Sequence, residues 1–232
     1  MTKPEVSICI PTYGRVEILK NTLESIFFQG VENEKFEVCI SDNSPTSETE
    51  EMLQMYFSAK ENLIYKKSTC EGYFNSIEAL KLGKGKFLKL HNNYTNFEKG
   101  CFSKFISFVA EYEEENVTLF FTSGCIKQKE EVFLYDSFDS FMNSISYFST
   151  WSSSFGIMNK DFQRLLSQNI ELDKMFPHTS LLFALESNRK FVVNNFIYFD
   201  NQDVGKKGGY NIPQVFGTRY LGMCNNLLVD KK

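Results

Sequence analysis

The sequence predicts an α/β fold, a three-layer sandwich around a mostly parallel central sheet. Two observations carry this. Over the first hundred residues, short β-branched apolar runs alternate with segments of helical periodicity, a β-α-β-α-β-α-β order. Each apolar run also empties into a polar cluster, where open α/β sheets place their ligands, beyond the carboxyl ends of the strands.

The elements follow in order. "EVSICI" (5–10) reads as a buried strand stopping at Pro11. "RVEILKNTLESIFFQG" (15–30) spaces Ile18, Leu19, Leu23, Ile26 and Phe27 as a helix closed by Gly30. "FEVCISD" (36–42) is a second strand, and Thr46 or Ser47 caps a helix with glutamates in its first turn. "NLIYKKS" (62–68) is a third strand, "YFNSIEALKLGKG" (73–85) a helix closed by glycine, and "KFLKL" (86–90) a fourth strand. The second half is less regular. It holds an amphipathic helix at 101–115, a strand at 117–124 and a helix from about Asn159. A further helix enters after Pro177, a late strand lies in "KFVVNNFIYFD", and the tail from 214 forms a last helix.

Composition bounds the function. A chain of 232 residues buries roughly 70% or more of its unfolded surface and needs no disulfide or metal for stability. The hydrophobic content of 42% and the 24 phenylalanines exclude a disordered chain. A net charge of −4 leaves no electrostatic footprint for nucleic acid. The six cysteines form no C-x-x-C pair, and with two histidines they make no zinc set, so they read as reduced core thiols of a cytoplasmic protein. The N-terminus lacks a signal-peptide core, and no apolar run reaches the ~20 residues a membrane span requires. The phenylalanine-rich second half leaves a homo-oligomer open.

The strand tips are Pro11-Thr12-Tyr13, Ser41-Asp42-Asn43-Ser44 and His91-Asn92-Asn93. "VSICIPTYGRVEILKNTLESI" followed by "FEVCISDNSPTSETEEML" resembles the opening of family-2 glycosyltransferases of the GT-A fold, including abequosyltransferase-like proteins that build bacterial capsule or lipopolysaccharide chains. The resemblance runs from residue 5 to about 100 and is loose beyond, at "STWSSSFGIMNK" and "MFPHTSLLFAL". It implies a nucleotide-sugar-binding half, residues 1–100, and an acceptor-binding half with C-terminal helices, residues 101–232.

The resemblance also implies roles. Pro11, Thr12 and Tyr13 would cradle the nucleotide, with the Tyr13 ring against base or ribose. Asp42 would accept a hydrogen bond from the nucleobase, as a carboxylate offers only acceptors. Glu71, Gly72 and Asn75 fall in the segment that contacts the nucleotide, where glycine allows close approach. Arg15 could pair with phosphate.

His91, Asn92 and Asn93 stand where the family carries an acidic metal-binding motif. Mn²⁺ or Mg²⁺ prefers charged oxygen ligands, so Asn93 is at best a weak metal ligand here. Cations at Lys206, Lys207 or Arg219 could assist the departing nucleoside diphosphate instead. Where the family places an acidic general base, this chain has Pro177-His178, which makes His178 the candidate base, with Asp173, Asp200 and Asp203 as further carboxylates.

The expected activity is therefore inverting transfer from a nucleotide sugar to a glycan or lipid-linked oligosaccharide, at the inner membrane face. A GT-A-like binding or scaffolding protein partnering another transferase is the alternative. A nucleotidyltransferase lacks support, because "PTYGRVEILK" is neither phosphate-loop pattern.

Overall fold

The computed structural model describes residues 3–113, 115–127, 130–185, 189–205 and 211–230, with side chains as far as 227. Its central sheet contains β1 (Val6–Thr12), β2 (Phe36–Asp42), β3 (Leu63–Lys67), β4 (Phe87–Leu90) and β8 (Gly156–Met158), in the order β3-β2-β1-β4-β8. The first four strands are parallel and β8 runs antiparallel on β4. Three helices link the parallel strands: α1 (Val16–Phe27), α2 (Glu48–Phe57) and α3 (Asn75–Leu82).

Side chains alternate across this sheet, so each strand supplies two cores. Ile8, Ile10, Val38, Ile40 and Phe87 face Leu19, Leu23, Met52 and Phe102 on one side. Cys9, Cys39, Leu88 and Leu90 face Ile77, Leu80, Phe162 and Leu181 on the other. Helices thus cover both faces, and the three-layer arrangement follows. Both cores draw on residues from either side of position 100.

β1 runs two residues past the expected stop, through Pro11. The carbonyl of Cys9 accepts from His91 N on the β4 side, whereas that of Thr12 accepts from Asn43 N on the β2 side. Pro11 shares the orientation of Cys9, and pairing with β4 ends at Cys9 opposite Leu90, so its missing N–H interrupts no ladder.

The second half adds β5 (Thr95–Phe97), α4 (Cys101–Glu111), β6 (Val117–Phe121), β7 (Val132–Tyr135), α5 (Phe138–Ile145), α6 (Asn159–Ser167), α7 (Pro177–Phe183), β9 (Lys190–Asn194) and β10 (Phe199–Asn201). The expected late strand is two strands, broken at 195–198. β9 lies between β6 and β7, and β10 pairs antiparallel with β5. A π-type turn, Pro213–Tyr220, leads into α8 (Leu221–Asp230). Among the described residues no helix is long and apolar enough to cross a membrane.

Candidate functional site at the carboxyl ends of the strands

The ends of β1, β2 and β4 are joined by buried polar side chains. Thr12 is 2% exposed, and its hydroxyl accepts from Asn93 Nδ2 at 2.8 Å and donates to the Gly14 carbonyl at 3.3 Å. Asn75, the first residue of α3, clamps the two neighbouring tips. Its Oδ1 accepts from Ser41 Oγ at 2.7 Å, and its Nδ2 donates to Ser41 O, Asn43 Oδ1 and Thr12 O. Asn43 in turn donates to the Cys70 carbonyl at 2.9 Å, fixing the turn that holds Glu71 and Gly72. Gly72 has φ +55, a conformation that favours glycine, and the space where a Cβ would sit is open.

Asp42 lies at the end of β2 and is fully buried. Oδ1 accepts from Ser44 N at 2.8 Å and from the Ser44 hydroxyl, while Oδ2 accepts from Tyr65 at 3.1 Å and Lys67 at 3.0 Å. Burial alone would raise its pKa, but these donors, Ser44 foremost, outweigh burial and hold the carboxyl below its ordinary value. Each carboxylate oxygen thus already accepts from two donors. Ser44 also accepts from Gly14 N at 2.6 Å, joining the β2 tip to the β1 loop.

Above this network the β1 loop is open. Tyr13 is 64% exposed. Gly14 and Arg15 both have positive φ, +63 and +59, and the exposed Arg15 guanidinium lies 6.0 Å from the Tyr94 ring centroid. A left-handed non-glycine residue costs roughly 1–2 kcal/mol. Such strain clusters at ligand clamps.

His91 does not join the site. Its ring is fully buried, stacked on Phe97 at 5.0 Å, with Nε2 against the Thr95 carbonyl at 2.7 Å. Burial, assisted by the neighbouring Lys89 charge, pushes its pKa down to about 3, so it is a neutral core residue and not a donor ligand. Asn92 Oδ1 accepts from Ser152 Oγ at 2.6 Å, and Asn93 donates to Thr12. A neutral set with one oxygen already engaged does not suit a divalent cation. Among the described residues no group of three or more His, Cys, Asp or Glu could hold a metal.

His178 is 5% exposed, with Nε2 against the Thr150 carbonyl at 2.9 Å. Burial lowers its pKa to about 4, well below the near-neutral value that suits a general base. Its geometry is that of an anchor for the 149–153 segment. Asp173 accepts from Met175 N, Phe176 N and, at 3.0 Å, Arg219, and its own N–H donates to Ser180 Oγ on α7, so Asp173 and Arg219 are already paired with each other. Asp200, within β10, and Asp203, just after it, are exposed. Lys206 and Lys207 lie outside the described residues.

Sequence reasoning passed over Lys67, Ser152 and Lys89. Lys67 faces Asp42 only through the β2–β3 register, in which the two residues are paired. Lys89 carried a usable signal, a cation inside an apolar strand. It is fully buried, donates to the Leu90 carbonyl at 2.7 Å and to the Ser153 carbonyl, and has its pKa lowered by burial to about 7.

Comparison with known proteins agrees with this architecture. Residues 7–166 match the model of the family described as Glycosyl transferase family 2. The abequosyltransferase RfbV of Salmonella typhimurium is 49% identical over 51 residues, 22% of this chain and 15% of that protein. TarS of S. aureus, solved in complex with UDP-GlcNAc, superposes with a TM-score of 0.62 at 18% identity, covering 91% of this chain and 63% of that one. The mannosyltransferase PcManGT of Pyrobaculum calidifontis, solved with GDP-Man and Mn²⁺, gives 0.61 at 13%, covering 90% and 59%. The chain thus spans less than two thirds of each of these relatives, and the structural likenesses establish a shared GT-A fold.

Proposed function

Because the chain belongs to glycosyl transferase family 2, we propose that it transfers a glycosyl residue from a nucleotide-sugar donor to a glycan of a bacterial surface polysaccharide. The observation that carries this reading is the bonded set Thr12–Asn93, Asn75–Ser41 and Ser44–Gly14, which holds three strand ends rigid beneath an exposed ring and guanidinium. A preorganised floor of this kind is what positioning of a donor requires.

In this reading the nucleoside lies across Tyr13, and the base displaces Lys67 to reach Asp42 Oδ2. The Glu71–Gly72 turn flanks the nucleotide. Arg15 and the Gly14 loop face the diphosphate. Asn92 and Asn93 approach the donor sugar through neutral hydrogen bonds. The acceptor hydroxyl attacks the anomeric carbon from the face opposite the nucleotide. The new oxygen–carbon bond forms as the bond to the diphosphate oxygen breaks, with inversion; the hydroxyl proton passes to water and the electron pair leaves with the nucleoside diphosphate. Positive charge from Arg15 stabilises the departing diphosphate. The tip residues do not fit a divalent cation, so no step is assigned to one. A lipid-linked acceptor would bring the protein to the inner membrane face as a peripheral partner.

Incubation with UDP-, GDP- and CDP-sugars, reading released nucleoside diphosphate, tests the activity. One donor should be turned over, and Asp42→Ala should abolish it. Nucleotide binding without release from any donor would instead support a scaffolding protein that partners another transferase.

A further inference from the structure

Residues 140–159, "SFMNSISYFSTWSSSFGIMN", contain no Asp, Glu, Lys, Arg or His, but are rich in serine and aromatic side chains. Within them Tyr147 and Trp151 are 52% and 38% exposed, and the half-buried Phe148 lies between them. Ring centroids are 4.5 Å apart for Tyr147–Phe148 and 4.6 Å for Phe148–Trp151. Exposed rings on an irregular segment would ordinarily be mobile. This segment is not free, because three buried polar groups, two on α7 and one on β4, hold its backbone. Thr179 donates to the Ser149 carbonyl at 2.9 Å, His178 Nε2 meets the Thr150 carbonyl, and Lys89 meets the Ser153 carbonyl. Two of these anchors are titratable groups whose burial disfavours their charged form, a cost that packing alone does not explain. The segment is also tied directly to the candidate donor site, since Ser152 Oγ donates to Asn92 Oδ1 at 2.6 Å.

We propose that the Tyr147–Phe148–Trp151 platform is the acceptor subsite and takes a neutral pyranosyl unit, stacked through its C–H face on the rings. This rests on the transferase reading for its role in catalysis, though not for the binding itself. A pyranose presents an apolar face and a rim of neutral hydroxyls. Aromatic faces and uncharged serine and asparagine side chains match both, whereas a charged acceptor would find no counter-charge on this segment. The link to Asn92 places the bound sugar next to the donor end of β4.

Trp151 is the only tryptophan in the chain, so emission excited at the red edge, where tyrosine does not absorb, reports on this surface alone. The test titrates the full protein with the methyl pyranosides of mannose, galactose and rhamnose, with and without saturating UDP or GDP. At least one pyranoside should shift the emission saturably and shield Trp151 from acrylamide. Tyr147→Ala, which keeps the reporter, should weaken that binding about tenfold. Tyr56→Ala, an exposed ring on α2, should leave it unchanged.

The proposal is overturned if no pyranoside alters the emission under either condition, or if Tyr147→Ala binds as the wild type does. It is equally overturned if the emission responds only to protein concentration, which would mark the rings as a contact between two copies of the chain. Melting temperatures with UDP and GDP on the same samples separate the two claims. A nucleotide shift without pyranoside binding removes the platform and leaves the transferase reading. Pyranoside binding without a nucleotide shift does the reverse.

Discussion

Asn93 Nδ2 donates to Thr12 Oγ1 across 2.8 Å, tying the tip of β4 to the tip of β1. An asparagine thus holds by hydrogen bonding what a bound cation could hold by charge. The substitution Asn93→Asp tests this. A carboxylate there cannot donate to Thr12, but it supplies the charged oxygen that Mn²⁺ prefers. Wild-type melting in the presence of nucleoside diphosphate should be indifferent to Mn²⁺, whereas Asn93→Asp should gain a Mn²⁺-dependent rise. Indifference in both proteins would show that residue 93 lies out of reach of a cation bound to the nucleotide.

Asn75→Ala should destabilise the protein by at least about 2 kcal/mol. It removes four hydrogen bonds at a 3% exposed position and takes from the buried Ser41 hydroxyl its acceptor. Urea unfolding at neutral pH measures the loss. A change within about 0.5 kcal/mol, as at an ordinary surface site, would contradict the clamp.

Acid should unfold this protein early. His178 has a folded pKa of about 4 against 6.5 unfolded, so below pH 6.5 the unfolded chain binds a proton that the folded one refuses. The stabilisation is complete above pH 6.5 and is lost as pH falls through 4, about 3 kcal/mol in all. His91 acts in the same direction. His178→Gln, which keeps a donor for the Thr150 carbonyl, should flatten the stability profile between pH 6.5 and 4, read by urea midpoints across that range.

Lys89 gives the corresponding effect on the alkaline side. Its folded pKa of about 7 lies below its ordinary 10.5, so stability should rise from pH 7 to 9 as the unfolded chain keeps a proton the folded one sheds. Lys89→Met should remove this rise whatever its effect on absolute stability. A wild-type profile that is flat over this range would show that the buried ammonium is not the titrating group.

Gly85→Ala should cost about 1–3 kcal/mol, because a Cβ there would lie 2.8 Å from Ser7 N and Val6 C, backbone atoms that cannot yield. Thermal melting checks it.

The first four strands and the helices between them were legible within a few residues, because burial on both faces produces continuous apolar runs with sharp polar ends. β5, β8 and β10 were not. Each has three residues, too few to express a period, and each exists through its partner strand. The polar tips were legible as a cluster for the same reason the strands were. What each tip residue bonds was not, since register decides it: Thr12 lies opposite Asp42, and Asp42 opposite Lys67. His91 reads as a ligand from its place at a strand end. The turn that follows folds β5 back over it, and its ring goes into the core against Phe97. His178 misled similarly, because a helix start suggests exposure, whereas the 149–153 segment covers this one.

A nucleoside diphosphate is expected to bind over the ends of β1, β2 and β4, on a floor that needs no divalent cation. The melting temperature with UDP or GDP, measured in EDTA and again in Mn²⁺, tests it most directly. At least one nucleotide should give a saturable rise, equal in the two buffers and absent in Asp42→Ala; by mass action, ligand at a hundred times Kd adds about 2.7 kcal/mol. A rise that appears only with Mn²⁺, or no rise with either nucleotide, would contradict it.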